Sequence, residues 1–275
     1  MNLRWRSLAA LGAGVLALAV AGSATPASAA SAAAAPNAVG NCRVTAAHPF
    51  PVVLVHGTFE SSAMWSQFSP VLTQAGFCVS AIDYNSLQDI ATSARQLATF
   101  VDQVLAASGA TKVDIVGHSQ GGMMPRFFLK NLGGAAKTHS LIGFASSNYG
   151  TTLQGLATLV GEGGAVFVGL FCPSCRQQIQ GSDFLNALNR PTDVVPGVSF
   201  TVIETSADEV VTPFQNAFLK GAGATNLLVQ NFCPADAAGH IALATEDQNA
   251  WRLALNALDP AHAQPVSCVA ETNPI

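Results

Sequence analysis

The run Gly117-His118-Ser119-Gln120-Gly121-Gly122 constrains this chain more than any other. A mainly apolar segment, Val113-Asp114-Ile115-Val116, leads into it, and a helix-compatible stretch, Met123 to Leu132, follows. The pattern predicts a strand, a tight turn and a helix, with a serine at the apex and glycines two residues to either side. A side chain at Gly117 or Gly121 would crowd such a turn. The turn lifts the serine hydroxyl above the sheet edge, and the helix start behind it points N–H groups at any oxyanion formed there. The bland alternative is a Gly/Ser connection between two elements.

The rest of the chain supplies a sheet for that turn. Pro51–Val55 is an apolar run ending in His56-Gly57 and predicts a strand. Further strands are expected over 77–84, 113–118, 139–146, 198–204 and 226–232. Helices are expected over 64–75, closed by Gly76, over 90–107, stopping at Gly109, and over 244–258. The strand runs are continuously apolar, so the sheet is buried on both sides. The expected class is α/β: a mostly parallel sheet of about six strands with helices on both faces. In such sheets a site forms beyond the carboxyl ends of the strands. His56, Ser119, Ser146 and Asp208 all follow predicted strand ends.

Residues 150–196 break the rhythm. Gly155, Gly161, Gly163, Gly164 and Gly169 interleave with Leu156, Leu159, Val160, Val166, Phe167, Val168, Leu170 and Phe171. A small apolar cap inserted over the site is expected there; an ordinary crossover helix is the alternative.

Before the domain, Arg4 and Arg6 precede an apolar stretch, Leu8–Val20, and a small-residue site, Ala27-Ser28-Ala29. This is the pattern of a secretory signal peptide over 1–29, followed by a flexible lead-in over 30–41 and a single domain over 42–275. An uncleaved membrane anchor is the alternative, but the apolar stretch falls short of the roughly 20 residues a span needs. The expected location is therefore extracellular. Six cysteines follow, an even number that predicts disulfides in an exported chain. Spacing alone does not decide among the pairings; the expectation is Cys42 with Cys78, Cys172 with Cys175, and Cys233 with Cys268. Cys172-Pro173-Ser174-Cys175 lacks the βαβ setting of a redox motif and reads as a local bridge. No Cys/His spacing suits zinc. With no basic run and a pI near 5.8, a nucleic-acid partner is not expected.

A serine hydroxyl needs a base, and the base needs a partner to fix its tautomer. Of six histidines, His118 sits beside Ser119 and is expected to pack or shape the turn. His56 is expected to shape the loop after the first strand, while His48, His139 and His262 read as surface or strand-edge residues. His240, in Ala238-Gly239-His240-Ile241-Ala242, lies between the last strand and the last helix, where a Ser…acid…His order delivers its base. Asp208 follows a strand and is the expected acid; Glu209 is its neighbour and rival, and Asp183, Asp193 and Asp236 follow no predicted strand. An oxyanion hole needs two backbone donors. Gln120 is expected to supply one, and Thr58, with Phe59 as fallback, the other.

With those pieces assembled, the chain resembles the secreted bacterial lipases and esterases of the α/β-hydrolase fold, especially the actinobacterial class 2 lipase group. The resemblance rests on residues 52–60 (Val-Val-Leu-Val-His-Gly-Thr-Phe-Glu), 116–123 (Val-Gly-His-Ser-Gln-Gly-Gly-Met), 145–152 (Ala-Ser-Ser-Asn-Tyr-Gly-Thr-Thr), 208–213 (Asp-Glu-Val-Val-Thr-Pro) and 239–241 (Gly-His-Ile). It covers roughly residues 42–270. It implies Ser119, Asp208 and His240 as the triad and the N–H groups of Thr58 and Gln120 as the oxyanion hole. One departure stands out: the group often has Asn-His-Gly where this chain has Asn148-Tyr149-Gly150, which alters the expected pocket wall. The expected activity is ester hydrolysis through an acyl-enzyme, by a monomer without metal or organic cofactor. The resemblance does not fix the substrate; the apolar insertion over the site favours acylglycerols or other apolar esters, with a lipid–water interface as an expected partner. A polyester- or cutinase-like esterase, an acyltransferase and a non-catalytic lipid carrier are the competing expectations.

Overall fold

A computed structural model of the protein describes residues 42–158 and 170–274. Six strands, β1 (Val52–Val55), β2 (Val79–Ile82), β3 (Val113–His118), β4 (Thr138–Phe144), β5 (Ser199–Glu204) and β6 (Ala224–Leu228), form one sheet in the order β2-β1-β3-β4-β5-β6. Every pairing among them is parallel.

Alternate side chains of each strand leave opposite faces of the sheet, and both faces are apolar. Val53, Val55, Ile115, Leu141 and Val202 enter one core, against α2 (Ile90–Ser108) and α3 (Gln120–Asn131). Val52, Leu54, Val116, Ile142 and Ile203 enter the other, against α1 (Phe68–Gln74) and, later in the chain, α7 (Ala242–Thr245) and α8 (Gln248–Leu258). Phe68 lies at the centre of the second core, stacked on Trp251 at 5.6 Å and edge-on to Phe144 at 5.8 Å. Burying both faces requires continuous apolar strands, which is what the sequence shows.

Several element boundaries differ from the sequence expectation. The predicted helix over 64–75 is a 3₁₀ turn, Ser62–Ser66, followed by α1. Pro70 has no N–H for the Ser66 carbonyl, which suits it to the first turn of α1, where that bond is not made. The last helix is two: Asp247 turns its side chain to the Asn249 N–H at 2.7 Å and starts α8 afresh. The last strand ends at Leu228, and Val229–Asn231 is a 3₁₀ turn, with Val229 buried, rather than strand. Asp89 caps α2 through the Thr92 N–H, and Gly109 closes it in the left-handed conformation (φ 74°).

In the segment expected as a cap, the described portion holds α4 (Leu153–Thr158), α5 (Pro173–Gln177) and α6 (Asp183–Leu188). The glycine-interleaved stretch 159–169 lies outside the described residues. Leu156 is buried against Cys172 and Cys175, while Leu170 and Phe171 are both 66% exposed. The structure carries disulfides Cys42–Cys78, Cys172–Cys175 and Cys233–Cys268.

Candidate active site

Ser119 stands between β3 and α3 with φ 54° and ψ −120°, a backbone conformation that side chains rarely adopt. The turn is tight enough to explain its glycines. A Cβ at Gly117 would fall 1.9 Å from the Gly121 carbonyl oxygen, and one at Gly121 would fall 2.2 Å from that of Val55. Serine is common at a helix N-cap because its hydroxyl binds the first N–H groups. Here Ser119 holds that position but its side chain makes no such bond. The hydroxyl is therefore not spent on the helix.

His240 and Asp208 meet across the end of the sheet. His240 Nδ1 lies 2.8 Å from Asp208 Oδ2, with both side chains sealed from solvent. Asp208 Oδ1 accepts the N–H groups of Val210 (2.8 Å) and Val211 (2.7 Å). Burial would raise the Asp208 carboxyl, but the His240 ring and these donors hold it below the usual range. Burial pushes the His240 imidazole down; Asp208, together with Glu60 and Glu209, outweighs it, so the ring is easier to protonate than a free histidine. With Nδ1 committed to Asp208, Nε2 is the free end, buried and without a hydrogen bond, including any to Ser119. Such bonds are commonly loose without substrate and tighten in the reacting complex.

The rivals for the acid are engaged elsewhere. Glu209 accepts the His240 main-chain N–H at 3.0 Å, behind the ring rather than at it. Asp193 binds Tyr149 and the N–H groups of Lys220 and Gly221. Asp236 binds Asn249 and the Ala238 N–H, and Asp183 is exposed in the first turn of α6. Tyr149, where the resembled group often has histidine, thus ties to Asp193 at 2.8 Å.

Thr58 and Gln120 come together as well. The Thr58 hydroxyl donates to Gln120 Oε1 at 2.8 Å, and both residues are buried. Gln120 is the first residue of α3, so its N–H has no carbonyl a turn behind it within the helix. Gln178, just after α5, donates to Thr58 Oγ1 (3.0 Å) and Gln120 Oε1 (2.9 Å), clasping the pair. His56, on the same loop, faces the Gly57 carbonyl with Nδ1 and the Tyr84 N–H with Nε2. One acceptor and one donor specify a neutral ring, and burial does lower its pKa.

A second imidazole–carboxylate pair backs the first. His118 Nδ1 lies 2.9 Å from Glu60 Oε2, and its Nε2 lies 3.0 Å from the His240 main-chain oxygen. The two histidine rings are 4.7 Å apart. Burial would raise the Glu60 carboxyl, but His118 holds it low. Sequence reasoning gave Glu60 and Gln178 no part here; they lie 58 and 120 residues from the groups they bind, and no local pattern links them. Among the described residues, no cluster of three His, Cys, Asp or Glu is arranged to hold a metal ion.

The class 2 lipase family model matches residues 49–247, from the start of β1 through the His240 loop. The chain belongs to the class 2 lipase family. Two curated relatives share 38% identity with it: a triacylglycerol lipase of Burkholderia plantarii, over 104 residues, 34% of this chain and 29% of that protein, and one of Pseudarthrobacter phenanthrenivorans, over 91 residues, 30% and 28%. This class 2 lipase-family chain thus spans under a third of the curated relatives' length. Among solved structures, Aspergillus fumigatus lipase B superposes with a TM-score of 0.65 at 23% identity, covering 82% of this chain and 57% of that one. The mature form of Bacillus licheniformis lipase BlEst2 gives 0.65 at 19% identity, covering 82% and 99%. The shared architecture is the α/β-hydrolase fold.

Proposed function

We propose that this chain is a secreted serine carboxylic-ester hydrolase, a lipase or esterase that cleaves acylglycerols or other apolar esters through an acyl-enzyme. One observation carries the reading: an uncommitted serine hydroxyl on a strained elbow shares a sheet edge with an imidazole whose far nitrogen is held by a buried carboxylate. Ser119 Oγ attacks the ester carbonyl while His240 Nε2 takes its proton. The N–H groups of Thr58 and Gln120 bind the developing oxyanion, helped by the positive end of α3. As the tetrahedral species collapses, His240 protonates the leaving alcohol. The same nitrogen then deprotonates a water, which attacks the acyl-enzyme, and returns that proton to Ser119 Oγ as the acid departs. Asp208 orients His240 and stabilises its charged form in both halves.

The domain reading belongs to the same proposal: residues 1–29 as a signal peptide, 30–41 as a lead-in, and 42–275 as one monomeric hydrolase domain capped by 150–196. The charged start, the short apolar run and three disulfides support export. No helix among the described residues is long and apolar enough to cross a membrane. The apolar substrate class is supported by family membership and by the exposed Leu170 and Phe171.

The test is a series of esters, from short soluble to long emulsified, offered to the protein and to Ser119→Ala. The variant is expected to keep the wild-type melting temperature and to lose at least about 10⁴-fold in kcat. Cleavage of soluble esters alone would remove the lipase half of the reading. Undiminished turnover by the variant would remove all of it.

A further inference from the structure

Glu204, the last residue of β5, has no role in the steps above, yet it is fully buried four residues before Asp208. Its Oε1 accepts the Thr205 N–H at 2.9 Å. Its Oε2 is sealed from solvent, and among the described residues no N–H or O–H donor reaches it. A carboxylate there would leave one oxygen of a buried charge unsatisfied, an arrangement proteins avoid. The acidic group that acts on the Glu204 carboxyl most strongly, by its charge and as a side-chain hydrogen-bond partner, is Asp208, buried four residues further on.

Asp208 already binds as an anion, accepting from Val210, Val211 and His240. Two carboxyl groups sharing a dry site do not both ionise, and the donors around Asp208 keep the charge there. The proton between them therefore belongs to Glu204. Accepting from Thr205 with one oxygen and donating with the other leaves no unsatisfied atom.

We propose that Glu204 is a positioning residue for the candidate acid, a neutral carboxylic acid whose O–H donates to Asp208 and fixes both its orientation and its basicity. This deepens the ester-hydrolase reading and rests on it. Burial and the neighbouring Asp208 charge both push the Glu204 carboxyl well above the usual range, and Glu209 adds to this. The charged groups facing the pair are Asp208, Glu209 and the His240 ring, with Glu60 acting on His240 from beyond His118. In so acidic a corner a proton on Glu204 limits how strongly His240 holds its own. The chemical use is a base that stays available near neutral pH.

The experiment compares wild type, S119A, E204Q and E204L on one soluble ester across pH, with difference infrared spectra of wild type against E204Q. A carboxamide repeats both bonds, so E204Q should keep kcat within about threefold and its acid limb within about 0.3 pH unit of wild type. E204L removes the donor, leaving Asp208 more basic. Its kcat should fall about tenfold at similar KM, and its acid limb should move to higher pH. The infrared difference should show a protonated carboxyl at neutral pH. An acid limb moved to lower pH in E204Q would mean that an anion near His240 had been removed, and would overturn the proposal. So would absence of the protonated-carboxyl band, or wild-type kcat and pH profile in folded E204L. Should E204L not fold, E204Q and the infrared band decide. If wild type shows no turnover that S119A abolishes, the ester-hydrolase reading fails, and the band alone still decides where the proton sits.

Discussion

As the proposed base, His240 stands at the balance of two opposed effects. Burial disfavours the charged ring, while Asp208 at 2.8 Å, joined by Glu60 and Glu209, favours it and prevails. The proposed reaction needs the neutral ring at the moment of attack. A pKa raised above the free value near 6.5 means that this form is lost as pH falls through a higher point than for a free histidine. The acid limb of kcat/KM is therefore expected to have its midpoint above about 6.5, read from a pH–rate profile on a soluble ester. A midpoint clearly below that would mean that Asp208 does not govern the ring. Ser119 and His240 were legible because each sits in a short pattern whose backbone demands it. Asp208 was legible as the expected acid from its place after a strand end, with four other carboxylates as rivals. Its Val210 and Val211 donors and its reach to His240 separate it from Glu209 next door, and none of that is written in residue type. The Glu60–His118 pair and the Gln178 clasp bridge long separations, so no window of sequence could contain them.

The elbow between β3 and α3 is the element that most tightly couples sequence to site. Gly121 packs its bare Cα against the carbonyls of Val55 and His56, which joins the end of β1 to the start of α3. Gly121→Ala is expected to cost at least about 3 kcal/mol in urea unfolding, because the obstructing atoms are backbone and cannot rotate away. A loss below about 1 kcal/mol would show that the turn is looser than described. Gly109, by contrast, has open space around its Cα and serves only a left-handed helix end. The buried strands were readable because packing on both faces leaves an unbroken apolar run. The edge strand β6 was misplaced by several residues because the same apolar signal continues into Val229, whose burial comes from a turn. The break in the last helix was readable from Asp247, a residue that favours an N-cap over a helix interior, and an unbroken helix over 244–258 overlooked it.

Across the whole molecule, the two cores meet at a sheet whose carboxyl edge carries every group of the candidate site, and disulfides tie both ends of the described chain to it. Cys233–Cys268 closes 35 residues and holds a terminal segment against the His240 loop, where Ala237 N–H meets the Glu271 carbonyl at 2.8 Å and Gly239 N–H that of Asn273 at 2.9 Å. Replacing both cysteines with serine is expected to lower unfolding free energy by about 3–4 kcal/mol, measured by urea titration, and to reduce kcat through the loosened loop. An unchanged titration midpoint would assign the bond no such role.

The most direct test of the triad is covalent. A serine-directed phosphonate, followed by intact-mass and peptide mapping, is expected to place one adduct on Ser119, and His240→Ala is expected to slow that labelling at least about 10³-fold. Labelling at another residue, or at an undiminished rate without His240, would contradict the account.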